Sequence, residues 1–142
     1  MLRRFETLID PSLIHTVGFQ FREGKLRIVL SKDIRNIAGK LALEVVDRVL
    51  KRSEIARDTI RHWVIHSGGR KVIDAIKSEL GLGEEDLRSS RSVLRNFGNM
   101  SSPTVLFVLQ DTIQNARPGE GDYGLMLAMG PGLAVEAALI QW

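Results

Sequence analysis

The chain has 142 residues, 44% apolar and 26% charged, with a net charge of +3 at pH 7 and an isoelectric point near 9.6. That is enough for one domain with a core. No block of basic residues resembles a nucleic-acid arm and aromatics are only 6%, so the basic excess reads as solvated surface Lys and Arg. The lack of cysteine excludes disulfides, thiolate zinc sites and a cysteine nucleophile within this chain.

The start, Met1 to Glu6, has no apolar signal core, and no apolar run reaches membrane-spanning length. A cytoplasmic protein with no membrane or nucleic-acid partner is the expectation. Residues 1–16 lack clear periodicity, and Asp10-Pro11-Ser12 reads as a turn within a poorly defined lead-in. Val17 to Phe21 and Leu26 to Leu30, separated by Glu23-Gly24, predict a hairpin. Ser31 or Asp33 can cap the next helix, which runs to about Arg52. Ile37, Leu41, Val45 and Val49 recur along it at every fourth position, and Ala38, Ala42, Val46 and Leu50 widen the stripe. Gly39 within that stripe weakens the helix and is a candidate point of close packing.

Ile60 to Ile65 predicts a short apolar strand. Lys71 to Leu80 predicts a helix with Val72, Ile73, Ile76 and Leu80 inward and Gly81 as its stop. A further helix, about Glu84 to Phe97, presents Leu87, Leu94 and Phe97. After the Gly98–Ser102 loop, Ser102 can cap and Pro103 can open a helix, where its missing N–H costs nothing. The run Val105-Leu106-Phe107-Val108-Leu109 has no polar face, which predicts burial on all sides. Arg117 to Asp122 reads as a loop. Tyr123–Met129 and Leu133–Trp142 read as strands whose short link forces antiparallel pairing. The order predicts an α/β domain with a mixed sheet and helices on both faces.

His66 ends the central apolar strand and precedes Ser67-Gly68-Gly69. Open α/β sheets bind ligands beyond strand carboxyl ends, and glycines there let a ligand approach the backbone. The next helix start offers free N–H groups to an anion. A lone histidine at a strand end is still more often structural, and His15 and His62 lack even this context. Asn99 has the same two readings: an amide aimed at a developing oxyanion, or a residue that tolerates left-handed backbone in a Gly-Asn turn. Gly130-Pro131-Gly132 is either a simple connection or a rigid pocket wall. No metal-ligand spacing, P-loop or Ser-His-Asp pattern is present.

As a set these motifs say more. His66-Ser67-Gly68-Gly69, the stretch Ser89 to Ser102 containing Asn96-Phe97-Gly98-Asn99, and Met129-Gly130-Pro131-Gly132 through Glu136 follow one another at a familiar spacing. From about Val17 to Trp142 the chain resembles the C-terminal part of type III polyketide synthases, the chalcone and stilbene synthase family with its thiolase-like fold. His-Ser-Gly-Gly in place of the plant His-Pro-Gly-Gly, and the tail from Gly121-Asp122-Tyr123-Gly124 to Trp142, look most like the bacterial branch that makes 3,5-dihydroxyphenylacetyl-CoA from malonyl-CoA.

The resemblance implies a Cys-His-Asn acyltransferase site in which the cysteine carries the growing chain as a thioester. His66 and Asn99 match the residues that hydrogen-bond the thioester carbonyl of malonyl-CoA. Phe21 aligns with a phenylalanine gating the pocket, Ser101 with a pocket lining, and Gly130, Pro131 and Gly132 with a loop shaping the cyclisation cavity. Gly68, Gly69 and Lys71 fall where coenzyme A would be touched. No cofactor is implied beyond coenzyme A thioesters as substrates, and no metal.

The family's cysteine lies in an N-terminal half that this sequence does not contain. The expected partners are therefore malonyl-CoA and a cysteine-bearing half or synthase subunit, with self-association as the other outcome of exposed apolar surface. Two alternatives stand beside this reading: an inactive truncated relative serving as partner or scaffold, and a small domain binding coenzyme A or phosphate.

Overall fold

The computed structural model describes residues 1–142. Its centre is a four-stranded sheet in the order β1-β6-β5-β4, formed by β1 (Leu2–Leu8), β4 (Ile60–Ile65), β5 (Tyr123–Met129) and β6 (Val135–Gln141). β4 and β5 run parallel, whereas β5–β6 and β6–β1 are antiparallel, so the sheet is mixed as expected. β2 (Val17–Arg22) and β3 (Lys25–Leu30) form the expected hairpin but a separate two-stranded sheet.

Alternation along β4 divides the core in two. Trp63 and Ile65 face one side with Leu125, Leu127, Ala137 and Leu139, beneath α1 (Ile34–Ser53) and α2 (Arg70–Leu80). Val64 faces the other side, packing with Val93 of α3 (Arg88–Phe97) and Val108 of α4 (Pro103–Asp111). Helices therefore cover both faces. The broad stripe on α1 is explained by two neighbours, because the helix contacts both α2 and the β1–β6 edge. α2 ends at Gly81 in the left-handed region, as its sequence requires.

Four expectations need correction. Residues 2–8 are not a shapeless lead-in but an edge strand. Its inward position is taken by Glu6, buried and held by Arg52 Nη1 at 2.8 and 3.0 Å, while Phe5 faces outward, so the apolar alternation runs inverted. The helix placed over 84–97 begins with a tight turn at Glu85–Leu87, and the α-helix proper starts at Arg88. The final link is longer than three residues, because Pro131–Leu133 form a tight helical turn and β6 begins at Val135. Ser102, Asp33 and Ser31 make no side-chain cap to a helix N–H. Asp33 instead accepts from the Ser31 hydroxyl at 3.0 Å, and Thr104 Oγ1 accepts from the Met100 N–H at 2.8 Å.

The largest departure is α4, which is not buried on all sides. Thr104 and Val108 face the sheet, but Leu106 is 59% exposed, and Phe107 and Ile113 are also exposed. Phe97, itself exposed, meets Phe107 edge-on with ring centroids 5.4 Å apart, and Leu106 stays open. Phe19, Phe21, Leu26 and Ile28 of the hairpin are exposed as well. Apolar residues without a polar face thus mark surface that this chain leaves uncovered.

Gly39 shows the packing constraint most directly. A Cβ added there would fall 2.7 Å from the Ala75 carbonyl oxygen and 2.5 Å from Glu79 Cγ on α2. Mid-helix Gly→Ala alone is worth about 1 kcal/mol in favour of the helix. The overlap with backbone reverses that sign, so Gly39→Ala is expected to destabilise by roughly 1–3 kcal/mol, read as a lower denaturant midpoint.

Candidate active site

β4 delivers His66. The His66 N–H donates to the Leu127 carbonyl at 2.8 Å, extending the parallel ladder one residue past Ile65 and fixing the backbone at the sheet's carboxyl end. The chain then turns sharply, with the Gly68 N–H donating back to the His66 carbonyl at 3.0 Å. A Cβ built on Gly68 would lie 3.4 Å from His66 Cδ2 and 3.5 Å from Nε2, so the imidazole edge runs along this glycine. Gly69 has an extended backbone that any residue adopts, and a Cβ there would meet nothing. Its value is therefore open space in front of the α2 start and not backbone freedom.

His66 is half-buried, and burial alone pulls its pKa below the usual 6.5. The neutral ring is thus favoured near pH 7, with one N–H donor and one bare nitrogen. Neither ring nitrogen bonds to another group of the chain, and neither is fully buried.

Asn99 comes from the loop after α3. Its Nδ2 donates to the Gly68 carbonyl at 3.1 Å, and its Oδ1 accepts from the Ser101 N–H at 2.8 Å. The second Nδ2 proton makes no bond to the chain and remains available to an acceptor. The left-handed positions of this loop are Gly98 (φ +72°) and Ser101 (φ +65°), not Asn99. Backbone tolerance therefore does not explain the asparagine; its carboxamide does. The imidazole and the carboxamide meet at Gly68.

The other candidates divide. Gly130-Pro131-Gly132 follows β5, which parallels β4, so it sits at the same sheet end as His66. Gly132 (φ +74°) needs its glycine, and a Cβ there would lie 3.9 Å from Ile14 Cγ1. That turn leans on the lead-in segment and the base of the hairpin. Ser101 is exposed beside Asn99, and Lys71 is exposed on the first turn of α2. Phe21 stands near the hairpin tip opposite Leu26, 74% exposed, and no contact brings it to His66 or Asn99.

His62 is structural: its Nε2 lies 3.3 Å from Asp122 Oδ2 and its ring meets Trp142 edge-on. The Asp122 carboxyl is held below its usual range chiefly by the Gly119 N–H, then by His62. No group of His, Asp and Glu side chains is arranged to hold a metal ion, and no helix is long and apolar enough to cross a membrane. Sequence reasoning passed over Ser67 and Ser90, both fully buried and hydrogen-bonded around His66. Their signal was a pair of small polar residues on the inward side of α3 and next to the histidine.

Comparison with known proteins places this geometry. Residues 6–142 match the family model for the C-terminal domain of chalcone and stilbene synthases. The chain belongs to the chalcone and stilbene synthase family. It is 37% identical over 141 residues to 3,5-dihydroxyphenylacetyl-CoA synthase of Streptomyces toyocaensis, covering 98% of this chain and 36% of that protein. It is 41% identical over 120 residues to the synthase of the same name from Amycolatopsis orientalis, covering 84% of this chain and 32% of that protein. The fold superimposes on 1,3,6,8-tetrahydroxynaphthalene synthase of Streptomyces coelicolor, a bacterial type III polyketide synthase, with a TM-score of 0.92 at 22% identity, over all of this chain and 40% of that one. This type III polyketide synthase domain thus has the thiolase-like fold, and it spans about a third of the length of the relatives it matches.

The buried setting of His66 gives a pH prediction. Its imidazole resonances should titrate with a midpoint below 6.5. Unfolded histidine binds its proton at the higher pH, so between the two midpoints the unfolded state holds more protons and stability falls as pH is lowered. NMR titration of the isolated chain checks the midpoint.

Proposed function

We propose that this synthase domain supplies His66 and Asn99 to a decarboxylative Claisen condensation of malonyl-CoA, completed by a cysteine from an N-terminal half outside this chain. The observation that carries the reading is the Asn99 amide bonded to the Gly68 carbonyl, which places two uncharged donors beside one glycine.

The chemistry follows from those donors. As the malonyl C–C bond breaks, CO2 leaves and its electron pair moves toward the thioester carbonyl oxygen. The His66 N–H and the second Asn99 Nδ2–H are suited to that oxygen, where negative charge grows in the transition state. The resulting enolate carbon attacks the acyl group held on the cysteine, forming the new C–C bond and expelling the thiolate. That thiolate is then stabilised beside the imidazole when the ring takes up a proton.

The identities to two 3,5-dihydroxyphenylacetyl-CoA synthases support the same product class here. The uncovered outer face of α4 and the open hairpin suit a protein partner that brings the cysteine. The second reading is an inactive relative that binds a synthase subunit, which the exposed apolar residues of α4 would suit equally.

Mixing or co-expressing this chain with a cysteine-bearing half should release CO2 from malonyl-CoA. His66→Ala and Asn99→Ala should each lower that rate by about 10²–10³-fold. A reconstituted rate indifferent to His66 would support the scaffold reading instead.

A further inference from the structure

Three side-chain hydrogen bonds flank His66, and each joins the end of β4 or the turn after it to α3 or that helix's C-terminal extension. Ser90 Oγ, in the first turn of α3, donates to the carbonyl of Ile65 at 2.8 Å. Ser67 Oγ donates to the carbonyl of Ser90 at 2.6 Å. At the far end of the same helix, Asn99 Nδ2 donates to the carbonyl of Gly68 at 3.1 Å. The residues before and after His66 are therefore each tied to one helix, at both of its ends. Ser67 and Ser90 have no solvent exposure, so water does not compete for these bonds.

Ser90 cannot be read as an ordinary helix serine. Its hydroxyl reaches out of the helix to the last residue of β4, where no further strand takes that carbonyl. Ser67 donates in turn to the carbonyl of Ser90, so Ser90 holds the residue before His66 through its hydroxyl and the residue after it through its carbonyl. The tie lies between Ile65, Ser67 and α3, and it leaves the His66 side chain outside these bonds and facing Gly68.

We infer that Ser67 and Ser90 are positioning residues for the condensation: their two hydrogen bonds tie the residues on either side of His66 to α3, and α3 carries Asn99, so the two donors move as one unit. This rests on the reading of His66 and Asn99 as the oxyanion donors. Ser67 and Ser90 touch neither substrate nor cysteine; they set the spacing between the two groups that do. Helix α3 thereby acts as a rigid strut between the imidazole and the carboxamide, and losing either serine lets the His66 peptide drift relative to Asn99. A drift of about 1 Å at reacting groups is enough to cost on the order of a hundredfold in rate.

The test uses the full chain with its cysteine-bearing half, and the variants Ser90→Ala, Ser67→Ala, Ser90→Cys and Ser89→Ala. Ser90→Ala and Ser67→Ala should lower kcat for CO2 release from malonyl-CoA by about tenfold or more with KM changed far less, since ground-state binding does not need the spacing. Ser90→Cys, which keeps size and a weak donor, should recover part of the loss. Ser89→Ala, whose hydroxyl joins none of these bonds, should match the parent.

Because Ser90→Ala could unfold the helix, the isolated chain is measured too. With circular dichroism unchanged, the His66 titration midpoint should move up toward 6.5 in both alanine variants as the ring gains solvent. If His66→Ala abolishes turnover while both serine variants keep parental kcat and the parental His66 midpoint, the strut is refuted and the donor assignment stands. If His66→Ala itself leaves turnover intact, the donor assignment fails first.

Discussion

A single hydrogen bond joins the two loops of the site: the Asn99 carboxamide to the carbonyl of Gly68, across 31 positions of sequence. Without it the α3–α4 loop would be an exposed turn and His66 a half-buried histidine at a strand end. With it, the asparagine is fixed to the carbonyl of the glycine whose Cα the imidazole edge runs along. The ring edge lies along the backbone here, within van der Waals reach of where a Cβ on Gly68 would be.

The sheet supplies the platform. Parallel pairing of β4 and β5 puts His66 and the Gly130–Gly132 turn at one end, and the antiparallel β6 and β1 anchor the far side through the Glu6–Arg52 pair. The helices on one face, α1 and α2, close against each other at Gly39 and form the larger core. Those on the other face form a core of only Val64, Val93 and Val108 with their neighbours. The thinner side carries the Asn99 loop and the uncovered apolar residues of α4.

Periodicity exposed most of this fold. The stripe of α1, the apolar β4 and the hairpin all follow patterns that burial enforces. β1 escaped because its inward residue is a glutamate balanced by an arginine from α1, a long-range pairing that no local pattern encodes. α4 misled because an all-apolar helix signals burial without saying by which chain. Motif order singled out His66 and Asn99, and the fold brings both against Gly68. Sequence alone could not tell whether Asn99 takes the left-handed backbone of its turn, and the angles show that Gly98 and Ser101 do so instead. Phe21 lies on the hairpin as the motif implied, and its ring is left exposed in this chain.

The central claim is that His66 and Asn99 act together on one developing charge. A double-mutant cycle on CO2 release, with His66→Ala, Asn99→Ala and the double variant in the reconstituted enzyme, tests it most directly. Cooperation predicts that both single variants lose rate and that the double loses clearly less than the product of their two factors. Full multiplication of the two losses, or a single variant that retains parental rate, would contradict it.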